Sequence, residues 1–241
     1  GLERRLGNAH LGRFKPLADF DWHWPTQCDR SAIEELMGLR FILDAANVVL
    51  LGPHGVGKTM IARNIAHQAV LAGHTVLFTS AGHMLNELAG ADGDNALRHR
   101  LSVYARPRLL VVDAVGYLSY SNRHADLLFE IVSRRYEAKS TLITTNRPFA
   151  EWGEVFPNAA CVVSLVDRLV HHAAIIAIQG ESYRLKEAKE RSERRLKARA
   201  ATRPKKPPTP NPSTHRSASM TTPQIPDYWS PEEALAVYEF I

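Results

Sequence analysis

Residues 48–72, VVLLGPHGVGKTMIARNIAHQAVLA, decide the fold of this chain. The stretch begins with four apolar residues, which is typical of a short strand buried on both faces. GPHGVGKT, at 52–59, then matches the pattern GxxxxGK followed by Ser or Thr without a break. A helical pattern follows, with Ile61, Ile65 and Ala69 on one face. A strand, a glycine-rich loop and a helix in this order are the context of a phosphate-binding loop.

The residue types of the loop suit a nucleoside triphosphate. Its glycines let the backbone curl so that N–H groups point at phosphate oxygens, and the N-terminus of the next helix adds partial positive charge. Lys58 is predicted to reach the β- and γ-phosphates, and Thr59 to ligate Mg²⁺. We therefore expect ATP and Mg²⁺ as cofactors, held by Gly52, Pro53, His54, Gly55, Val56, Gly57, Lys58, Thr59 and Met60.

The composition fits a globular protein that does not enter a membrane. The chain has 241 residues, of which 45% are hydrophobic, and no apolar run approaches the ~18 residues of a membrane span. Cys28 and Cys161 form no CxxC pair, so we expect a reducing compartment without structural disulfides or a zinc site. The net charge of +5 is uneven, because residues 184–206 hold eleven Lys or Arg and three Glu, leaving −3 elsewhere.

Apolar runs and helical patterns alternate along the chain. This alternation predicts an α/β fold of the P-loop NTPase type, with a five-stranded parallel sheet flanked by helices. Ser31 is expected to cap the first helix. Strands are predicted at 48–51, 75–78, 109–113, 141–144 and 174–178, and helices at 31–44, 81–105 with a break at 90–93, 125–137 and 164–172.

The chain is expected to divide into five segments. A lead-in at 1–30, whose aromatic stretch at 20–25 indicates a docked segment, precedes an ATPase core at 31–184. A basic charged helix at 185–201 follows, so little or no C-terminal lid domain is expected. The last two segments are a Pro/Ser/Thr-rich disordered linker at 202–227 and a short amphipathic helix at 228–241.

Asp113 ends the third predicted strand and supplies the second nucleotide signal. An apolar strand that ends in Asp, about 55 residues after the loop, fits a Walker B acid that holds Mg²⁺. Hydrolysis usually needs a proton acceptor near the attacking water, and in ATPases of this layout it is the Glu directly after that Asp. Ala114 stands at this position and cannot accept a proton. Whether the alanine is natural or a replacement, it predicts ATP binding with slow hydrolysis.

Two further polar residues are candidates for the reaction. Asn146 ends the fourth strand, where it would orient water beside the γ-phosphate or simply form a turn before Pro148. Arg168 would reach a neighbour's nucleotide as an arginine finger, which implies an ATP-dependent homo-oligomer, or would pair with Asp167 or Glu181. His171 and His172 adjoin it, and because adjacent residues on a helix point apart, we expect packing rather than a shared metal.

Several motifs beyond the loop resemble the IstB-type transposition helper ATPases, which are AAA+ proteins related to the DnaC helicase loaders. The resemblance covers about 14–190, and its most specific pieces are TTNRPFAEWGEVF and DRLVHHA followed by GESYRLK. It implies a cytoplasmic bacterial protein encoded by an insertion sequence. Such proteins assemble on double-stranded DNA with ATP, deform it, and hand the target to a partner transposase.

The resemblance also implies roles for single residues. Lys58 and Thr59 match the Walker A pair, Asp113 the Walker B acid, Asn146 the sensor-one residue and Arg168 the arginine finger. Arg184, in GESYR, is a candidate second phosphate sensor, and Ala114 departs from the family's acidic residue. For DNA the candidates are the 184–206 stretch and four arginines, each equally well explained as part of a solvated helix face: Arg98, Arg100, Arg106 and Arg123.

Three other functions stay open at this point. A replicative helicase loader would share the ATPase core and differ in its partner. A small-molecule P-loop kinase would need an arginine-bearing lid, and no such pattern follows the fourth strand. An ATP-gated scaffold without turnover would fit Ala114 if that residue is natural.

Overall fold

The computed structural model describes residues 1–117, 120–157 and 159–201, and a mixed sheet of six strands lies at its centre. The order across the sheet is β1-β6-β2-β5-β4-β3. The strands from β2 to β6 pair in parallel, so the predicted five-stranded parallel sheet is confirmed. The sixth strand was not predicted and is antiparallel to β6. The strands are β1 Gln27–Cys28, β2 Asn47–Leu51, β3 Val76–Ser80, β4 Leu109–Val115, β5 Ser140–Thr145 and β6 Ala173–Gln179.

Helices cover both faces of the sheet, as expected for strands that alternate with helices. Two side-chain clusters fill the space between the layers. Val48 and Leu50 of β2 belong to one cluster and Val49 to the other, since neighbouring side chains of a strand point to opposite faces. The helices are α1 Leu2–Ala9, α2 Arg30–Met37, α3 Arg40–Leu43, α4 Lys58–Leu71, α5 Ala81–Ala89, α6 Asp94–Ala105, α7 Asn122–Arg135, α8 Trp152–Val155, α9 Ala159–Val170 and α10 Tyr183–Ala201.

The helix predicted at 31–44 is wrong in two details. It is two helices, α2 and α3, because Leu39 adopts a left-handed backbone conformation with φ of 61° between them. Its cap is Asp29 rather than Ser31, since the Asp29 side chain accepts a hydrogen bond from the backbone N–H of Ala32.

The helix predicted at 164–172 is also displaced. α9 begins at Ala159 and ends at Val170, so His171 and His172 lie in the turn beyond it. Their ring centroids are 3.9 Å apart. The expectation that a helix would point these two side chains apart is therefore wrong, because neither residue is helical.

Residues 1–197 form one compact unit. The predicted linker at 202–227 and the predicted helix at 228–241 lie outside the described residues. Within the described part, α10 alone follows β6. None of the described helices combines the length and apolar character needed to span a membrane.

Candidate nucleotide site

The glycine-rich loop joins the end of β2 to the start of α4, at the carboxyl edge of the parallel strands. Gly55 and Gly57 have φ of 78° and 99°, a region that side chains with a Cβ rarely adopt. Both are also crowded: a Cβ at Gly55 would lie 2.1 Å from Oγ of Ser182, and one at Gly57 would lie 2.4 Å from the ring of Phe20. The loop therefore requires glycine at these positions for conformation and for space.

Lys58 opens α4 and bends back over the loop. Its Nζ donates hydrogen bonds to the carbonyl oxygens of Gly52, at 2.6 Å, and Pro53, at 2.7 Å. Burial lowers the pKa of Lys58 to about 8, and the nearby Arg184 acts in the same direction while Asp113 opposes both. The ammonium group is thus kept next to the loop by two carbonyls that a phosphate can replace.

Asp113 is held by a threonine on each side. Thr59 Oγ1 donates to the two carboxylate oxygens at 3.0 and 3.2 Å, and Thr144 Oγ1 donates to Oδ1 at 2.5 Å. The predicted metal ligands Thr59 and Asp113 are therefore in direct contact. Sequence reasoning missed Thr144, although its place near the end of a parallel strand beside β4 was a usable signal.

Ala114 lies at an irregularity of β4. The register between β4 and β5 shifts between Val112 and Val115, and Ala114 itself has φ of 62°. Its N–H donates to Thr144 Oγ1 at 2.9 Å, so the same hydroxyl holds both Asp113 and Ala114. The half-buried methyl group lines the cavity at a position that offers no proton acceptor.

Asn146 and His54 contact each other in one corner of the cavity. Nδ2 of Asn146 lies 3.2 Å from Nε2 of His54, whose ring packs edge-on against Tyr117 with centroids 4.2 Å apart. Asn146 Oδ1 is buried, and among the residues that the structure describes it meets no hydrogen-bond partner. Burial, with Lys58 and Arg184 nearby, lowers the pKa of His54. A polar group in this corner is therefore available to a bound ligand or water.

The cavity has a volume of about 360 Å³ and joins this polar edge to an aromatic end. The aromatic end comes from the lead-in, which sequence reasoning did not assign to the site, and from Tyr183 at the start of α10. The predicted Arg184 lies there as well. The lining residues are Asp19, Phe20, Asp21, Trp24, Pro25, His54, Gly55, Val56, Gly57, Lys58, Thr59, Met60, Asp113, Ala114, Tyr117, Thr144, Asn146, Tyr183 and Arg184.

The lead-in is fastened to α10 beside the cavity, as its aromatic stretch indicated. Trp24 Nε1 donates to the carbonyl of Glu181 at 2.8 Å. Lys186 Nζ lies 3.2 Å from Asp21 Oδ2 and 4.3 Å from the centroid of the Trp24 ring. The hydrogen bond from Lys186 lowers the pKa of Asp21. These contacts join segments about 160 residues apart in the sequence. The aromatic Tyr183 beside the predicted Arg184 was a signal in the sequence for the aromatic end of the site, and it was missed.

The remaining predicted residues lie away from this cavity. Arg168 does not line it; its guanidinium packs 4.6 Å from the centroid of Phe129 and donates to Ser133 Oγ. The alternative partners Asp167 and Glu181 are thus replaced by residues of α7. Of the predicted DNA contacts, Arg98, Arg106 and Arg123 are exposed, whereas Arg100 is half-buried and donates to the carbonyl of Glu87.

Comparison with known proteins identifies the family. The model of the IstB-like ATP binding protein family matches residues 1–191. The chain belongs to this family.

Relatives of the IstB-like chain include two proteins of insertion sequences. The IS21 putative ATP-binding protein of Pseudomonas aeruginosa is 42% identical over 187 residues, which cover 78% of this chain and 71% of the relative. The IS5376 putative ATP-binding protein of Geobacillus stearothermophilus is 36% identical over 180 residues, covering 75% and 72%. These relatives support the sequence-based assignment to the insertion-sequence ATP-binding proteins.

A solved structure supports the fold of the IstB-like chain. The crystal structure of DnaI superposes with a TM-score of 0.59 at 20% identity, covering 70% of this chain and 93% of DnaI. At this identity the likeness shows the fold alone, which is that of an AAA+ P-loop domain.

Proposed function

We propose that this IstB-like chain is an ATP-dependent regulator of transposition that oligomerises on duplex DNA, deforms it and recruits a transposase. The observation that carries the proposal is the convergence of Lys58, Thr59, Asp113 and Arg184 on one cavity at the carboxyl edge of the sheet. Family membership supports ATP as the ligand. The insertion-sequence names of two relatives support a role in transposition. DNA and the transposase are added from the resemblance to the IstB-type helper ATPases.

The residues present fit Mg²⁺. A threonine hydroxyl and a carboxylate in contact at 3.0 Å form an oxygen donor set, which is what Mg²⁺ prefers. Thr59 and Asp113 would hold the ion, which supplies charge neutralisation at the β- and γ-phosphates. Lys58 would exchange its two carbonyl partners for phosphate oxygens, and Phe20 and Tyr183 would flank the base. Thr144 keeps the Asp113 carboxylate oriented.

Ala114 makes assembly, rather than rapid turnover, the outcome of ATP binding. In hydrolysis, water attacks the γ-phosphorus, the bond to the ADP oxygen breaks, and the water proton needs an acceptor. The Ala114 methyl cannot supply one, so ATP persists. Arg168 would complete the site of a neighbouring copy, where its guanidinium would stabilise charge on the phosphates. This role agrees with its position outside the cavity of its own chain.

α10 is the better candidate for the DNA backbone than the four predicted arginines. Its residues 183–201 hold eight Lys or Arg and three Glu. The groove beside Arg98 has mixed charge, since Asp94, Asp126, Glu130 and Arg134 also line it. Contacts from α10 to phosphates would be independent of base sequence and would weaken steeply with salt.

Electron microscopy and sedimentation of the chain with duplex DNA test the assembly. With ATP and Mg²⁺ we expect filaments or rings on DNA, and with ADP we expect small species. Lys58→Met is the matched control, which should stay small with either nucleotide. Monomers under every condition would contradict the proposal.

A binding experiment with two candidate partners tests the biological role. The ATP-bound chain is mixed with the transposase of its own insertion sequence or with a replicative helicase. We expect capture of the transposase, and capture of the helicase alone would identify a helicase loader instead.

A further inference from the structure

Two imidazole rings and a carboxylate meet on the surface, away from the residues that line the nucleotide cavity. One ring nitrogen each of His171 and His172 and a carboxylate oxygen of Glu137 lie within 4.8 Å of one another, and all three residues are exposed. Nδ1 of His171 lies 3.6 Å from Oε1 of Glu137. Glu137 follows α7, and His171 and His172 follow α9, so the cluster lies where these two helices end.

The backbone on both sides of this cluster is fixed by its own contacts. The N–H of His171 donates to the carbonyl of Asp167 at 3.1 Å, and the carbonyl of His172 accepts from the N–H of Asn47, also at 3.1 Å. The first contact closes the end of α9 and the second leads the chain into β6. Glu137 and His172 have φ of 54° and 58°, so each chain segment turns sharply at the cluster. The three candidate metal ligands are thus brought together by the ends of α7 and α9 and the start of β6.

A tyrosine orients one of the two rings. The hydroxyl of Tyr136 lies 2.7 Å from Nδ1 of His171, and the two rings stack with centroids 5.7 Å apart. When Nδ1 carries the proton it donates to this hydroxyl, so the metal ligand of His171 is Nε2, the other nitrogen of the ring whose Nδ1 lies 3.6 Å from Glu137. A hydrogen bond of this kind, from the second nitrogen of a histidine, is usual around metal-binding imidazoles.

We propose that Glu137, His171 and His172 bind a divalent transition-metal ion of the Zn²⁺ or Co²⁺ class. Two imidazoles and a carboxylate are typical ligands of these ions, whereas Mg²⁺ prefers oxygen ligands. The site is therefore chemically distinct from the Thr59 and Asp113 pair. Three protein ligands leave at least one position for water.

The bound ion would brace the ends of α7 and α9. Arg168 lies one turn before the histidines and already packs against Phe129 and Ser133 of α7. A metal that joins Glu137 to His171 and His172 would restrain the same pair of helices at their ends. Metal binding would therefore restrain the position of α9, the helix that carries Arg168, relative to α7.

Calorimetric titration of the full chain with Zn²⁺ tests the site, with Co²⁺ spectra as a second readout. Excess Mg²⁺ is present so that the Thr59 and Asp113 pair is occupied. We expect one saturable equivalent, Co²⁺ absorption bands of nitrogen ligation, and a higher midpoint of thermal unfolding with metal. His172→Asn and Glu137→Gln should each weaken binding at least roughly tenfold. Asparagine is chosen because it tolerates the left-handed backbone of His172.

His83→Gln is the matched control. His83 is an exposed histidine 3.7 Å from Glu87 on α5, with the same imidazole and carboxylate pair as Glu137 and His171. This variant should bind Zn²⁺ as the unchanged chain does. Absence of saturable binding, or equal affinity in the unchanged chain and His172→Asn, would overturn the proposal. Thermal unfolding without metal verifies that every variant is folded.

Discussion

Lys58 and Arg135 are both buried cations that bind backbone carbonyls, yet they lie at opposite edges of the sheet and differ in purpose. Lys58 is 8% exposed and Arg135 1%. Lys58 lies after the end of β2, beside the nucleotide cavity. Arg135 lies where β4 and β5 begin. Burial lowers the pKa of both, to about 8 for Lys58 and about 9 for Arg135.

The number of partners separates the two. Lys58 Nζ has two carbonyl partners, and the open cavity lets a phosphate replace them. The Arg135 guanidinium binds Thr141 Oγ1 and the carbonyls of Tyr104, Ala105, Pro107, Arg108 and Ser140. A carbonyl without a donor in the interior is costly. The comparison teaches that a buried cation with few, replaceable partners serves a ligand, whereas one with many partners stabilises the fold.

The largest expected effect is the loss of stability in Arg135→Met. Five carbonyls and one hydroxyl lose their hydrogen bonds to the guanidinium, and of these the carbonyls of Ala105 and Arg108 keep a second donor, from Lys139 and Ser140. The free energy of unfolding should therefore fall by about 4 kcal/mol. Denaturant titration measures this change. Arg134→Met is the control, because Arg134 is partly exposed and pairs with Glu130, so its loss should stay below about 1 kcal/mol. If both variants lost the same free energy of unfolding, the many partners of Arg135 would not explain its role in stability, and the contrast with Lys58 would fail.

Ala114→Glu should accelerate phosphate release about 100-fold, or by roughly 3 kcal/mol of barrier. The new carboxylate would supply the missing proton acceptor beside the cavity. Ala114→Gln has the same shape and cannot accept the proton, so its rate should stay at the starting level. If Glu and Gln gave the same rate, slow hydrolysis would have another cause.

Lys58→Met should weaken ATP binding roughly 30-fold while leaving the unfolding free energy nearly unchanged. The change removes charged hydrogen bonds to phosphate, each about 2 kcal/mol. Equilibrium binding with a fluorescent ATP analogue measures it. Lys139→Met is the control, since Lys139 donates to the carbonyl of Ala105 beside Arg135 and should leave binding intact. A large loss of unfolding free energy in Lys58→Met would show that Lys58, like Arg135, stabilises the fold.

The smallest effects separate two threonines of β5. Thr144→Val removes the hydroxyl that holds Asp113 and should weaken Mg²⁺-ATP binding several-fold, about 1 kcal/mol. Thr141→Val removes a partner of Arg135 and should lower stability by about 1 kcal/mol without affecting binding. Measuring both properties in both variants is decisive. If each variant changed both the stability and Mg²⁺-ATP binding, the nucleotide edge of the sheet and the Arg135 edge would be energetically coupled.

Much of the carboxyl edge was predictable because its signals are local or periodic. Gly52–Thr59 follows an apolar strand, Asp113 lies near the end of a second and Asn146 follows a third, so a parallel sheet brings them to one edge. The Arg135 site was not predictable. Arg134 and Arg135 are neighbours on α7, about 100° apart around its axis, and nothing in the local sequence tells which one is buried.

The sequence by itself determined the α/β fold and the phosphate-binding loop, since glycine spacing and apolar runs act within a few residues of one another. The tertiary structure alone decided which distant side chains complete the cavity, such as Phe20, Tyr183 and Thr144. It also decided that His171 and His172 lie beside Glu137 rather than apart on a helix. The physical reason is that these contacts join residues tens to more than a hundred positions apart, so they depend on packing rather than on local backbone preference.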